Sequence, residues 1–166
     1  REVFRNEWMG LIEDHVRMGS SIEGKYATIE MKDVVAVLPV DTGGMVHLVD
    51  QFRYALGRTS LETPGGYIDT GERPLEAAQR ELSEELGIVA KSWKYLGEVK
   101  SVTGLINNST HLFVARELKF QDANPESHES MRHISFSFED AVSMVLGGKI
   151  ASELSALLIL KAHLIE

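Results

Sequence analysis

The chain has 166 residues, of which 43% are hydrophobic and 25% charged, and its formal net charge is -8. A chain of this length and composition predicts one soluble domain around one core. The acidic balance argues against nucleic acid held through phosphate contacts. The sequence has no cysteine, which excludes disulfides and thiolate metal sites.

No apolar run approaches the roughly 20 residues of a membrane span, and no signal peptide is visible. We therefore expect a cytoplasmic protein without membrane contacts. The chain begins at Arg1 rather than methionine, so a short N-terminal piece is expected to be missing.

Residues 1–32 contain two extended runs, 9–16 and 26–31, around a turn-rich segment at 19–21. This pattern predicts a β-hairpin or meander. Residues 33–40 and 45–52 are β-branched apolar runs joined by Asp-Thr-Gly-Gly at 41–44, which predicts a hairpin of central strands. Further strands are predicted at 93–99, 110–118 and 133–138, and residues 121–131 are predicted to be a loop.

Two helices are predicted at the C-terminal end. The first covers 138–146 and ends at the glycines 147 and 148. The second is predicted to be capped by Ser152 and to pack through Leu154, Leu157, Leu158 and Leu164.

The densest chemistry lies in residues 66–88, GYIDTGERPLEAAQRELSEELGI, which carry six carboxylates. Pro74 suits a first turn and Gly87 a left-handed C-cap, so a helix is predicted over 74–86. Its apolar stripe is formed by Leu75, Ala78, Leu82 and Leu86.

Glu81 and Glu85 are four residues apart and project from one face of this helix, with Glu84 beside them. One interpretation is a solvated acidic face with an ion pair between Arg80 and Glu84. Against it stands the like-charge repulsion of the three glutamates, which a hard divalent cation would relieve. The glycines in the preceding loop allow its backbone to approach a ligand closely.

This segment resembles the Nudix box, G-x5-E-x7-R-E-U-x-E-E-x-G-U, in which U is a bulky aliphatic residue. All nine defined positions are filled, by Gly66, Glu72, Arg80, Glu81, Leu82, Glu84, Glu85, Gly87 and Ile88. The resemblance, together with the order of the elements, implies an α/β fold: a Nudix-type α/β/α sandwich with a mixed central sheet, preceded by a small N-terminal β region. It divides the chain into an N-terminal extension, 1–32, and a catalytic domain, 33–166.

The resemblance also implies a metal site. Glu81, Glu85 and the backbone carbonyl of Gly65 are expected to hold Mg²⁺, for which Mn²⁺ is a possible substitute. Glu84 is expected to assist a second ion or to position water, and Arg80 to orient the glutamates. Glu72 is expected to fix the loop to the helix.

The flanking segments resemble the branch of ADP-ribose and nucleoside diphosphate sugar pyrophosphatases. Arg53 lies in a Gln-Phe-Arg strand end typical of that branch, and Glu62 begins its E-x-P-x-G lead-in. A later pattern of the branch, similar to SPGxxxE, is only partly present. Gly104 matches its glycine, but a threonine stands in place of the proline and asparagines in place of the acidic residue. The substrate is therefore expected to be ADP-ribose or another nucleoside diphosphate sugar.

In the same branch an N-terminal strand region is commonly exchanged across a homodimer and places an aromatic residue against the nucleobase. Trp8 is the candidate for that aromatic, and a role in the core is its alternative. The water-activating carboxylate of the branch is expected at Glu129, with Glu126 as second choice, and solvated loop glutamates are the alternative.

The sequence thus predicts Mg²⁺-dependent hydrolysis of the pyrophosphate bond of ADP-ribose or another nucleoside diphosphate sugar. The products would be a nucleoside monophosphate and a sugar phosphate. Two alternatives remain open: a housecleaning hydrolase of modified nucleoside triphosphates, and a nucleotide-sensing Nudix module without catalysis.

Overall fold

The computed structural model of the protein describes residues 1–19, 22–121 and 131–165. Within these residues ten strands and three α-helices follow in the order β1 (Glu2–Arg5), β2 (Met9–Met18), β3 (Ile22–Met31), β4 (Val34–Pro39), β5 (Met45–Arg53), β6 (Arg58–Glu62), α1 (Pro74–Leu86), β7 (Ile88–Val99), β8 (Ile106–Asn107), β9 (Thr110–Phe120), β10 (Met131–Ser137), α2 (Phe138–Leu146) and α3 (Glu153–Leu164). None of the described helices has both the length and the apolar composition needed to cross a membrane.

The central strands form two sheets. In the first, of order β4-β9-β7, β4 runs parallel to β9 and β7 antiparallel to it. The second, of order β10-β5-β6, is antiparallel throughout. The mixed sheet agrees with the predicted fold class.

The predicted hairpin between β4 and β5 is present only at its turn. The Asp41 N–H donates to the Met45 carbonyl at 3.0 Å, and one isolated bridge joins Val40 to Val46. Beyond it the two strands enter different sheets. Pro39 ends β4 and has no N–H for a longer ladder, and both strands bury apolar side chains on both faces. The prediction of a continued hairpin is therefore wrong.

The two faces of β4 bury separate cores, which gives the molecule its layers. Val35 and Val37 pack with the apolar residues of α1. Leu38 and Val40 pack on the opposite face with residues of α2 and α3. The layers are helix, sheet and helix, as the Nudix resemblance implied.

The helix α1 begins at Pro74 and ends at Leu86, as predicted, and Gly87 has φ +61°. Its buried residues are Ala77, Ala78, Leu82 and Leu86. The prediction that Leu75 belongs to the buried stripe is wrong, because its side chain is 39% exposed in the first turn. The core meets α1 mainly from its second turn onward.

The predicted N-terminal meander is confirmed: β1, β2 and β3 pair antiparallel in sequence, and β8 adds a short parallel partner to β3. All of β1 is exposed. The division of the chain at residue 32 stays a prediction.

Of the four leucines predicted to pack on the last helix, only Leu158 is fully buried. Its buried residues are Ser155, Leu158, Ile159 and Ala162, whereas Leu157 and Leu164 are exposed. Apolar residues occur all around this helix, so their spacing does not define one face. Ser152 does occupy the N-cap position, but its side chain makes no capping bond to the helix backbone.

Candidate active site

The loop between β6 and α1 is bound to the edge of β4. The N–H of Val37 donates to the Pro64 carbonyl at 2.8 Å, and the N–H of Val35 donates to the Gly66 carbonyl at 2.9 Å. A Cβ atom on Gly65 would lie 2.1 Å from the Val35 carbonyl oxygen, so only glycine permits this approach.

The carbonyl of Gly65 points away from β4. Carbonyls alternate in direction along extended backbone, and those of Pro64 and Gly66 both face β4. No backbone N–H in the described part of the chain donates to the Gly65 carbonyl.

Two glutamates of α1 reach this loop. The N–H of Gly65 donates to Oε2 of Glu85 at 3.1 Å. A Cβ atom on Gly66 would lie 2.4 Å from Oε1 of Glu81, so the carboxylate occupies the space that a side chain would need. Both carboxylates thus lie beside the backbone that carries the Gly65 carbonyl.

Arg80 binds the acidic residues around it into one network. Its Nε and Nη2 contact the two carboxylate oxygens of Glu72, each at 3.0 Å. Its Nη1 contacts Glu81 at 2.7 Å and Glu84 at 3.1 Å, and Nη2 also donates to the Tyr67 carbonyl at 2.9 Å. The hydrogen bond to Glu72 is the main cause that raises the pKa of Arg80.

Glu72 joins the loop to the helix. Besides Arg80 it accepts the N–H of Asp69 at 3.0 Å. The hydrogen bond from Arg80 lowers the pKa of the Glu72 carboxyl below its ordinary value, although partial burial opposes this shift. A carboxylate with two such partners stays ionised and joins Arg80, in the second turn of α1, to the preceding loop.

Comparisons with known proteins agree with this geometry. The family model described as "NUDIX domain" matches residues 31–155. The chain is 30% identical over 146 residues to an ADP-ribose pyrophosphatase of Bacillus subtilis, which covers 87% of this chain and 79% of that protein. It is 29% identical over 157 residues to an ADP-ribose pyrophosphatase of Mycobacterium tuberculosis, which covers 92% of this chain and 75% of the relative.

The chain belongs to the Nudix hydrolase family. Its relatives place it in the ADP-ribose pyrophosphatase branch of that family. A crystal structure described as an ADP compounds hydrolase superposes with a TM-score of 0.85, covering 99% of this chain and 90% of that chain. Because the two sequences are 18% identical, this match supports the fold alone.

Nudix hydrolases generally use divalent metal cations, and the oxygen atoms near Gly65 suit one. No three histidine or acidic side chains in the described ranges are grouped closely enough to hold a metal by themselves. The donors that do meet are the carboxylates of Glu81 and Glu85 beside one backbone carbonyl. Mg²⁺ is commonly bound by one or two carboxylates, with water and substrate oxygens completing its shell, so this set fits.

The predicted substrate-binding residues of this Nudix hydrolase lie in three places. Arg53 and Glu62 contact each other, with Nη2 2.7 Å from Oε2 and Nε 3.3 Å from Oε1. The Gly104 carbonyl accepts the Tyr26 hydroxyl, and the ring of Trp8 lies 6.1 Å from that of Tyr67. Trp8 thus lies beside the loop that leads into α1, through the ring of Tyr67. Their binding roles stay predictions.

The predicted water-activating residues Glu129 and Glu126 lie outside the described residues. Sequence reasoning also missed two contacts of the Nudix loop. The first is made by Tyr67, whose ring lies beside that of Trp8 and whose carbonyl accepts a hydrogen bond from Arg80. The second joins Thr63 to Ser155, which lie 92 residues apart in the sequence. The only sign of it in the sequence is that Ser155 is a polar residue on an otherwise apolar helix face.

Proposed function

We propose that this Nudix hydrolase cleaves the pyrophosphate bond of ADP-ribose or another nucleoside diphosphate sugar with the help of Mg²⁺, giving a nucleoside monophosphate and a sugar phosphate. Two relatives named ADP-ribose pyrophosphatase, matched over most of their length, support the substrate class. The observation that carries the chemistry is the meeting of Glu81, Glu85 and the outward carbonyl of Gly65.

In the proposed site Glu81, Glu85 and the Gly65 carbonyl hold Mg²⁺, and Mn²⁺ is a possible substitute. The cation would neutralise negative charge on the diphosphate oxygens. Arg80 keeps Glu81 and Glu84 in one orientation through its Nη1 contacts. Glu84 assists a second ion or positions the attacking water.

Hydrolysis adds one water molecule across one P–O bond. The water oxygen joins one phosphorus, and the bridging oxygen leaves with the other phosphate. The proton of the water passes to a carboxylate, a role we assign to Glu129 from the family resemblance, with Glu126 as second choice. A Glu129→Gln variant should then lose turnover with little change in metal affinity, whereas a loss seen only in Glu126→Gln would move the role there.

The same resemblance assigns substrate contacts to Arg53, Glu62, Gly104 and Trp8. Arg53 is 45% exposed at its side chain while Glu62 holds one edge of its guanidinium. The planar fork of arginine suits diphosphate or ribose oxygens. We propose that Glu62 orients Arg53 and that Trp8 stacks on the base.

We also propose a cytoplasmic homodimer formed through the N-terminal sheet. This sheet leaves large apolar side chains exposed, among them Val3, Phe4 and Trp8. Exposed apolar groups of this kind mark interaction surfaces when they are contiguous. Light scattering on the purified chain should give twice the mass of 18.5 kDa, and a monomer mass at micromolar concentration would contradict the dimer.

The deciding experiment is an activity screen with identified products. ADP-ribose, other nucleoside diphosphate sugars and nucleoside triphosphates are compared with and without Mg²⁺, using Glu85→Gln as the inactive control. We expect a diphosphate sugar to be the preferred substrate and a monophosphate to be released. Preference for triphosphates would favour a housecleaning hydrolase, and no metal-dependent cleavage of any substrate would favour a sensing module.

A further inference from the structure

A buried serine on the C-terminal helix contacts the start of the metal-site loop. The buried face of α3 is apolar except for Ser155, whose exposure is 2%. Ser155 faces Thr63, which directly precedes the Pro-Gly-Gly of the loop and is also buried. A polar group buried in an apolar layer is destabilising unless its hydrogen bonds are made.

The hydroxyl of Ser155 makes all the hydrogen bonds available to it. It accepts the N–H of Thr63 at 3.0 Å, and its own hydrogen points to the Ser152 hydroxyl at 3.1 Å. The third contact, 3.2 Å to the Thr63 hydroxyl, is then donated by Thr63. One donated and two accepted bonds are the full capacity of a serine side chain.

These bonds fix one side of a segment whose other side is bound to β4. Thr63 is held by Ser155, while the carbonyls of Pro64 and Gly66 accept from β4. Pro64 itself has a fixed φ, which removes one of the rotatable torsions between Thr63 and Gly65. Hydrogen bonds to α3 and to β4 therefore both act on the backbone within two residues of the Gly65 carbonyl.

We propose that Ser155 is a positioning residue for the Gly65 carbonyl, and through it for the divalent cation at Glu81 and Glu85. This inference rests on the metal role in the proposed function. It gives α3, which packs behind the central sheets, a defined part in the site. The Thr63 N–H would lose its acceptor in a Ser155→Ala variant, and the segment that carries Gly65 could shift to expose it to water.

The test measures metal binding without turnover. Mn²⁺ affinity is determined by electron paramagnetic resonance for the wild type and for Ser155→Ala, at a temperature well below both Tm values. We expect Ser155→Ala to bind Mn²⁺ about 10-fold more weakly, the lower end of the effect of losing a supporting contact behind a metal ligand. The Mg²⁺ concentration for half-maximal activity should rise by the same factor.

Two control variants separate positioning from general stability. Ile159→Val removes a methylene from the same buried helix face, so it should lower Tm without changing Mn²⁺ affinity. Ser152→Ala removes the acceptor of the Ser155 hydroxyl but leaves the bond from Thr63, and its Mn²⁺ affinity should stay close to that of the wild type. A Ser155→Cys variant retains a weak acceptor and should bind Mn²⁺ with intermediate affinity, which keeps the test usable if the alanine variant does not fold.

Wild-type Mn²⁺ affinity in folded Ser155→Ala or Ser155→Cys would overturn the positioning role while leaving the proposed function in place. An equal loss of affinity in Ile159→Val would also overturn it, because the effect would then follow stability. A wild-type protein that binds no Mn²⁺ and hydrolyses diphosphate sugars without Mg²⁺ would overturn both the metal role and this inference.

Discussion

The loop and helix at residues 63–86 differ from the N-terminal sheet in how their charges are held. In the first region one arginine contacts three carboxylates and a backbone carbonyl, and the glutamates lie against glycines of the loop. In the N-terminal sheet the ion pairs, such as Arg17 with Glu23, are mostly exposed. Exposed pairs of this type contribute little to stability.

This difference indicates that the two regions have different tasks. The groups that Arg80 contacts in the loop and α1 all come from one stretch of the chain, residues 67–84. The N-terminal sheet instead presents exposed aromatic side chains, and Trp8 lies against the loop through Tyr67. We infer that the first region performs the bond cleavage and that the second selects the substrate.

The largest expected effect comes from Glu85→Gln. Loss of a supporting contact behind a metal ligand typically costs 10- to 100-fold in activity, so loss of a direct ligand should reduce kcat by at least about 100-fold. Tm should change little, because glutamine can still accept the N–H of Gly65. The matched control is Glu76→Gln in the exposed first turn of α1, which should keep near wild-type kcat. Near wild-type turnover in Glu85→Gln would remove the metal assignment.

A smaller loss is expected for Arg80→Lys. Lysine retains the charge but cannot contact both oxygens of Glu72 and also reach Glu81 and Glu84. Activity should fall by about 10- to 100-fold, and the Mg²⁺ concentration for half-maximal activity should rise. Arg73→Lys changes an exposed pair with Glu76 on the same helix and serves as the control. If both variants behaved alike, the network around Arg80 would have no special role.

The sequence predicted the first region well because its signals are local. Pro74 and Gly87 mark the two ends of α1, and the four-residue spacing of Glu81 and Glu85 already places both on one face. The contact between Thr63 and Ser155 could not be predicted, because it joins residues 92 positions apart. Nothing in either local pattern links them.

Two errors in the predicted fold have similar causes. The turn at 41–44 was recognised, but the sequence does not show that β4 and β5 then pair with β9 and β10 respectively. In α3, apolar residues surround the helix, so only packing against the sheets selects the face with Ser155. Local propensity defines elements, whereas their partners depend on the rest of the chain.

Trp8→Ala tests the role of the N-terminal sheet in substrate selection. Stacking of a base on an aromatic residue is worth about 1–3 kcal/mol, and the lower end corresponds to an increase in KM of about 5- to 10-fold. The lower end applies because Trp8 is 54% exposed, so a base stacked on it stays partly in water. kcat and Tm should change little, and Trp8→Phe should restore most of the affinity. A fall in kcat with unchanged KM would instead place Trp8 among the supports of the catalytic loop.

The last expected effect is on stability: the hydrogen bonds by which Glu72 joins Arg80 to the loop should make the free energy of unfolding depend on pH. The pKa of Glu72 in the folded protein lies below the ordinary value of 4.5, chiefly because of the hydrogen bond from Arg80. The stabilisation is therefore complete above pH 4.5 and is lost as pH falls through the lowered pKa.

Urea unfolding of the wild type and of Glu72→Gln measures this contribution directly. At pH 7 the variant should be less stable by about 1–2 kcal/mol, the value of a partly exposed hydrogen bond to a charged group. The difference should shrink as pH falls below 4.5 and should disappear below the lowered pKa of Glu72, where both folded proteins carry a neutral group at this position. A difference independent of pH would mean that Glu72 holds the loop through the shape of its side chain and its bond to the Asp69 N–H, rather than through its charge.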